Sequence, residues 1–240
     1  ANNISNMSTT GYNPRRAEFA DLHYQQLRGP GAVTAGSGEI LPAGVQVGLG
    51  VRSAAVSMEV RQGAARETGG ELDLSIEGAG YFEIRLPSGE SAYTRDGALK
   101  LSGEGEVVTS EGFALVPGVT VPEDARELVI NSDGTVYARF EGEVELQQIG
   151  DVTLAHFVNE KGLEAIGDNL FRETEASGQP LVGEPGTEGR GLLRQGYLEE
   201  SSVDVVSEIT ELIAAQRGYE LNSQVIKAAD EMLATSSRLR

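Results

Sequence analysis

Residues 72–97 read LDLSIEGAGYFEIRLPSGESAYTRDG. Leu72-Asp73-Leu74-Ser75-Ile76 and Tyr81–Leu86 alternate at period two, and Pro87-Ser88-Gly89 and Arg95-Asp96-Gly97 break the runs. Alternation over a few residues places apolar side chains on one face of a strand, and Gly, Pro, Asp and Ser supply the turns. Glu127–Ile130 alternates in the same way, with Ser132-Asp133-Gly134 and Glu141-Gly142 as further turn signals. A spacing of about ten residues per strand predicts an all-β module over residues 71–190. Gly178-Gln179-Pro180 and Gly183-Glu184-Pro185-Gly186 form a loop before the texture changes.

After that loop the period changes from two to three and four. From Ser202 to about Ser237 there is no Pro, and the only Gly is Gly218. Val205, Ile209, Leu212, Tyr219, Ile226 and Leu233 recur at heptad spacing, and Gln216, Ser223 and Asp230 fill the remaining positions of the same seam. This predicts one helix of about 34 residues, on the order of 50 Å long. Ser201 and Asp204 fit a capping box, Glu208 and Glu211 lie towards the positive end, and Arg238 and Arg240 lie at the negative end. The seam could pack on the chain's own β module or pair with other subunits. Its length favours the second, because globular docking helices average 10–14 residues. A seam without an internal partner predicts association.

Upstream of the β module, Gly29-Pro30-Gly31, Gly36-Ser37-Gly38 and Gly48-Leu49-Gly50 interrupt residues 1–70, which read as extended and poorly able to form a core. Phe19, Leu22, His23 and Leu27 could share a face of a short helix over 15–27, after Pro14 at an early helical position. Residues 44–48 and 51–60 alternate as short strands that would pair elsewhere. The fold class is therefore mainly β with a long C-terminal α-helix: a short-stranded all-β module plus terminal helical and extended segments. The expected divisions are 1–70, 71–190 and 191–240, the last a linker followed by the heptad helix.

The 240 residues contain 37 Asp and Glu against 19 Lys and Arg, a formal net charge of −18. So acidic a chain is a poor nucleic-acid ligand, since phosphate binding requires a basic face. Residues 1–70 hold six basic and five acidic side chains, 71–150 five and sixteen, and 151–240 eight and sixteen. The acid therefore lies in the β module and the C-terminal part. Cys is absent, which excludes disulfides, thiol catalysis and Cys-based zinc sites. No apolar run approaches the about 18 residues of a membrane span, so direct membrane insertion is not expected, and ANNISNMSTT does not read as a signal peptide.

Motifs that carry chemistry are weak. Gly78-Ala79-Gly80 lacks the third Gly of a dinucleotide fingerprint and leads into a strand rather than a helix, so it reads as a turn. Asn131-Ser132-Asp133-Gly134 lacks the later ligands of a calcium loop and also reads as a turn. Glu199 with Glu200, and Glu104 with Glu106, could form carboxylate pairs for glycan hydrolysis, but no aromatic platform accompanies them. In so acidic a chain they read as a solvated face. His23 and His156 are isolated from any Ser and Asp constellation. Asn3-Ile4-Ser5 and Asn6-Met7-Ser8 match the glycosylation acceptor pattern, a short match common by chance. No catalytic, cofactor or metal residue is expected.

Together the two ends resemble a known family. Ala1-Asn2-Asn3-Ile4-Ser5-Asn6-Met7-Ser8-Thr9-Thr10-Gly11-Tyr12 is similar to the N-terminal rod motif of bacterial flagellar axial proteins, carried by Ala1, Asn2, Asn3, Asn6, Thr9, Gly11 and Tyr12. Glu199–Val205, Glu208, Gln216–Glu220 and Asn222-Ser223 resemble the matching C-terminal motif, with Ser202 where that motif usually has Asn. Gly78–Phe82, Tyr93–Gly97, Gly112-Phe113, Gly162-Leu163 and Gly167–Phe171 follow the β-domain signatures between them. Phe19–Gly31 and Leu41–Arg52 resemble the segment that separates the distal rod from the hook, associated with a straight, rigid tube.

The resemblance implies a structural, non-enzymatic subunit of the distal rod. It implies export through the flagellar type III apparatus, self-assembly into a hollow helical shaft, and a place in the basal body from periplasm to outer membrane. The implied partners are further copies of the chain, other rod proteins, the hook and the basal-body ring proteins. The family also places a helix before the N-terminal motif. The sequence begins inside that motif and reads as truncated, and the preceding helix is the expected partner of the seam. Two alternatives stay open: another rod or hook subunit, or a secreted glycan-binding or hydrolytic β-domain protein.

Overall fold

The computed structural model describes residues 1–28, 45–142 and 145–238. The chain forms two compact units, residues 15–59 and residues 1–14 with 60–240. The mainly-β fold with one long terminal helix is as the sequence predicts.

In the larger unit, a nine-stranded antiparallel sheet is built around Tyr81–Arg85. One edge of that strand pairs with Ser91–Thr94, and its other edge is shared by Ala114–Val116 and Leu154–His156. A three-stranded meander, Ala125–Ile130, Thr135–Phe140 and Gln147–Asp151, packs its apolar face on the same core. Leu74, Ile76, Phe82, Ile84, Leu115 and Val136 are at most 2% exposed in that core. Each such side chain contributes about 1.5–3 kcal/mol of burial. The strand Leu74–Glu77 departs from simple in–out alternation: Ser75 is as buried as its neighbours. The central sheet is covered on its second face too, where Tyr81, Tyr93, Phe157 and Phe171 pack edge to face.

The chain's later strands close the module by returning to its start. Leu192–Gln195 pairs with Leu74–Glu77, and Tyr197–Glu199 pairs with Ala65–Glu67. Residues 192–195 and 197–199, expected as linker, are therefore strands, and runs of four and three residues are too short for periodicity to show them. Gln195 extends the closure through its side-chain amide. Its oxygen accepts from the Ile130 N–H at 3.0 Å, and its nitrogen donates to the carbonyls of Leu128 and Glu71 at 2.9 and 2.7 Å.

The smaller unit consists, among the described residues, of two hairpin-like pairs: Arg15–Asp21 with Val51–Met58, and Tyr24–Arg28 with Val45–Gly48. The helix expected over 15–27 is thus two strands broken at Leu22-His23. Strand pairing overrides a short apolar period that burial does not reinforce: Phe19, Tyr24 and Leu27 are all exposed. The strands expected at 44–48 and 51–60 are present as Val45–Gly48 and Val51–Met58. Residues 29–44 of the distal-rod-like segment lie outside the described residues.

Candidate functional site

The region of interest is where the N-terminal motif, the β module and the C-terminal helix meet. The strand Tyr197–Glu199 ends at Glu199, whose side chain points into the module and is 3% exposed. Arg95, 4% exposed, follows the strand Ser91–Thr94, donates from Nε to Glu199 Oε2 at 3.0 Å, and holds Nη2 2.9 Å from the same oxygen as an ion pair. Its Nη1 and Nη2 also donate to the carbonyls of Gly80 and Gly78, both at 3.0 Å. The other carboxylate oxygen, Oε1, accepts from the Gly63 N–H at 2.9 Å. The guanidinium carbon stands 5.7 Å from the centroid of the Tyr81 ring. A buried ion pair requires such saturation, because each ion has lost its water.

Residues 1–14 are fastened to this pair. Gly11 donates its N–H to the Glu199 carbonyl at 2.8 Å. It has φ +63°, and a Cβ placed there would stand 2.8 Å from the Arg95 carbonyl oxygen. Only Gly suits that position. Asn169 Nδ2 donates to the Thr10 carbonyl at 2.6 Å, while the Ser202 N–H donates to the Tyr12 carbonyl at 3.0 Å. At the other end, α1 (Asn2–Ser5) lies beside the start of α2 (Val205–Arg238), where buried Asn3 donates from Nδ2 to Glu208 Oε1 at 2.6 Å. The Tyr12 hydroxyl donates to Asn3 Oδ1 at 3.3 Å. Asn6 and Thr9 serve the local turn: Thr9 Oγ1 donates to Asn6 Oδ1, and Asn6 Nδ2 donates to Asn2 Oδ1 and to the Asn2 carbonyl. Ala1 accepts at its carbonyl from Ser5 N–H. The seven motif residues therefore sit in α1 and the turns that follow it.

The helix cap lies three residues later than the capping box suggests, at Asp204 rather than Ser201. Asp204 Oδ1 accepts from the N–H groups of Val206 and Ser207, and Oδ2 accepts from the Ser207 hydroxyl. These bonds hold the Asp204 carboxyl below its usual range, the Ser207 hydroxyl foremost. Ser201 instead bonds its own loop, accepting from the Val203 N–H. Beyond its first turn α2 runs uncovered. Of the seam, Val205 and Ser223 are half-buried, and Ile209, Leu212, Gln216, Tyr219, Ile226, Asp230 and Leu233 are exposed. Tyr219 is 78% exposed. Leu221, Val225 and Met232 are exposed as well. At 3.6 residues per turn these three form a second stripe, roughly opposite Ile209, Gln216 and Ser223.

Matches to known proteins agree with this geometry. Residues 75–138 match the model described as the flagellar hook protein FlgE/F/G D1 domain, and residues 194–239 match the flagellar basal body rod FlgEFG protein C-terminal model. The chain is 49% identical over 240 residues to the flagellar basal-body rod protein FlgG of Caulobacter vibrioides, covering 100% of this chain and 92% of that protein. The chain belongs to the FlgG rod-protein family. The FlgG of Agrobacterium fabrum is 45% identical over 238 residues, covering 99% of this chain and 91% of that protein. Against the flagellar hook protein FlgE of Salmonella typhimurium identity is 34% over 191 residues, covering 78% of this chain and 44% of that longer protein. Identity and coverage are both lower for this hook relative than for the two rod proteins.

The sequence reading missed the internal wiring of this FlgG-family junction. Glu199, expected with Glu200 on a solvated face, is buried, whereas Glu200 is exposed, 3.3 Å from Arg66. Arg95 and Glu199 do lie inside the quoted signatures Tyr93–Gly97 and Glu199–Val205. Their positions in otherwise structural motifs were the available signal. The second stripe on α2 is visible as Leu221, Val225 and Met232 at helical spacing, but the heptad seam concealed it. His156 is half-buried on Leu154–His156 with a buried Nδ1 that has no hydrogen-bond partner among the described residues. Among those residues no helix is long and apolar enough to cross a membrane, and no group of His, Asp and Glu could hold a metal.

Proposed function

We infer that this chain, a FlgG-family structural subunit of the flagellar distal rod, assembles with copies of itself into a rigid hollow helical shaft that transmits torque from motor to hook. The observation that carries this is the uncovered length of α2, with apolar stripes on two sides. A helix apolar on more than one side buries itself between neighbours rather than along a single partner. Repeated head-to-tail contacts that do not close into a ring generate a helical filament. Within the seam Val205, Ile209, Leu212, Tyr219, Ile226 and Leu233 supply burial, and Gln216, Ser223 and Asp230 fix register at some cost in stability. Ala1, Asn2, Asn3, Asn6, Thr9, Gly11 and Tyr12 join that inner helix to the module.

In this scheme residues 1–70 and 191–240 serve the inner layer, and the acidic module 71–190 faces outward. The role is mechanical and involves no catalysis. Export proceeds through the flagellar type III apparatus, and the assembled shaft runs from the periplasm to the outer membrane. It meets the other rod proteins, the hook and the basal-body rings. The absence of Cys suits a chain that crosses into an oxidising space. The test is a chromosomal replacement by the Leu212→Asp, Ile226→Asp variant, followed by electron microscopy of isolated basal bodies. Rods that stop before the distal segment are expected. Full-length straight rods containing the variant would overturn the assignment.

A further inference from the structure

We infer that residues 1–14 form a strut that fixes the direction in which α2 leaves the β module, with Arg95, Glu199 and Asn3 as its positioning residues. A helix leaving a domain through a single strand end is free to swing, because one attachment leaves the backbone dihedrals between them unconstrained. Here the exit is held at two separated points. The lower point is Glu199, six residues before the helix, locked by Arg95 and by the Gly63 N–H inside the module. The upper point is Glu208, in the first turn of α2, reached by Asn3 at 2.6 Å. Between these points the N-terminal segment is itself tied to the module at Thr10, through Asn169, and at Gly11, against the Arg95 and Glu199 backbones. Tyr12 closes the arrangement, accepting at its carbonyl from Ser202 and donating from its hydroxyl to Asn3.

The bonds at the two ends differ in kind. Arg95 and Glu199 are buried and saturated, so their geometry is costly to change. Asn3 to Glu208 joins a neutral amide to a carboxylate at the rim, short enough to hold the helix yet removable without opening the module core. The direction of α2 therefore depends on a contact that the stability of the β module does not. In a shaft this strut would pass twist between the inner helix and the outer module, but its existence is a property of the single subunit and is tested there.

The chain contains no Cys, so two introduced cysteines are the only labelling sites. Spin labels at Ser88→Cys on the module and Gln224→Cys on α2, both exposed, report the distance distribution in dilute monomer by pulsed electron resonance. The parent is expected to give one narrow peak. Asn3→Ala is expected to widen it about twofold, since locally opened contacts admit a broader ensemble, while the near-ultraviolet circular dichroism of the module and its melting midpoint stay at the parent values. Glu199→Gln is expected to widen it as well, where the variant folds. A broad peak in the parent, or a peak in Asn3→Ala as narrow as the parent's, overturns the strut. A role confined to stability would move the midpoint and leave the width unchanged.

Discussion

Replacing Arg95 by Met removes the charge while keeping much of the stem that packs beside Tyr81. Three hydrogen bonds disappear, one to Glu199 Oε2 and one each to the carbonyls of Gly78 and Gly80, together with the ion-pair contact of Nη2 with Glu199. Glu199 keeps only the Gly63 N–H, on its other oxygen, and stays in a site where its side chain is 3% exposed. Removing one partner of a buried pair costs about 3–5 kcal/mol, chiefly from the stranded charge. In a domain of this size each kcal/mol lowers the melting midpoint by about 2–4 °C, so Arg95→Met should melt on the order of 10 °C below the parent. Differential scanning calorimetry at neutral pH measures this directly. The double variant Arg95→Met, Glu199→Met should recover much of the loss, because a neutral apolar pair pays no ionic desolvation. A loss under about 1 kcal/mol, the worth of an exposed pair, would refute the assignment of this contact as a buried anchor. So would a double variant no more stable than Arg95→Met.

Three further outcomes follow from the same geometry. Gly11→Ala forces a side chain into a left-handed conformation against the Arg95 carbonyl and should cost about 1–3 kcal/mol, read as a lower urea midpoint with an unchanged slope. Gln195→Leu deletes three hydrogen bonds, two to the meander and one to Glu71, at about 1 kcal/mol each; amide exchange at Ile130 should accelerate more than at Phe82. Burial holds the Asp96 carboxyl above its usual range, despite the Ala98 N–H that lowers it. Its native form therefore binds a proton more readily than the unfolded chain, so its contribution is present below the ordinary carboxylate pKa and lost as pH rises through the raised value. Asp96→Asn keeps an acceptor for Ala98 and should leave stability at pH 7 equal or higher, with a flatter pH profile across the acidic range; a steeper profile would contradict this.

What the sequence displayed and what it hid divide along physical lines. The strands 74–77, 81–85 and 125–130 and the helix from Val205 were legible because each repeats one period long enough to be counted. The helix expected over 15–27 failed because three apolar residues and His23 at helical spacing carry no force when none is buried on that face. Residues 192–199 were hidden by brevity, since their strandedness comes from partners more than a hundred residues earlier. The Arg95 and Glu199 pair was hidden for a different reason. Composition assigns acidic pairs to solvent, and only the fold shows one glutamate turned inward to meet an arginine 104 residues away. Loose family signatures marked both residues without stating what they do.

The central claim is that α2 is uncovered in the free subunit and buried between subunits in the shaft. Single cysteines at Tyr219, Ile226 and, as an outward control, Ser88 can be tested with a maleimide in monomer and in isolated rods, since the chain offers no other thiol. All three should react freely in the monomer. In rods the cysteines at 219 and 226 should react at least about tenfold more slowly, as burial restricts thiol access, while the one at 88 keeps its monomer rate. Equal reactivity of position 226 in rods and monomer would contradict the account.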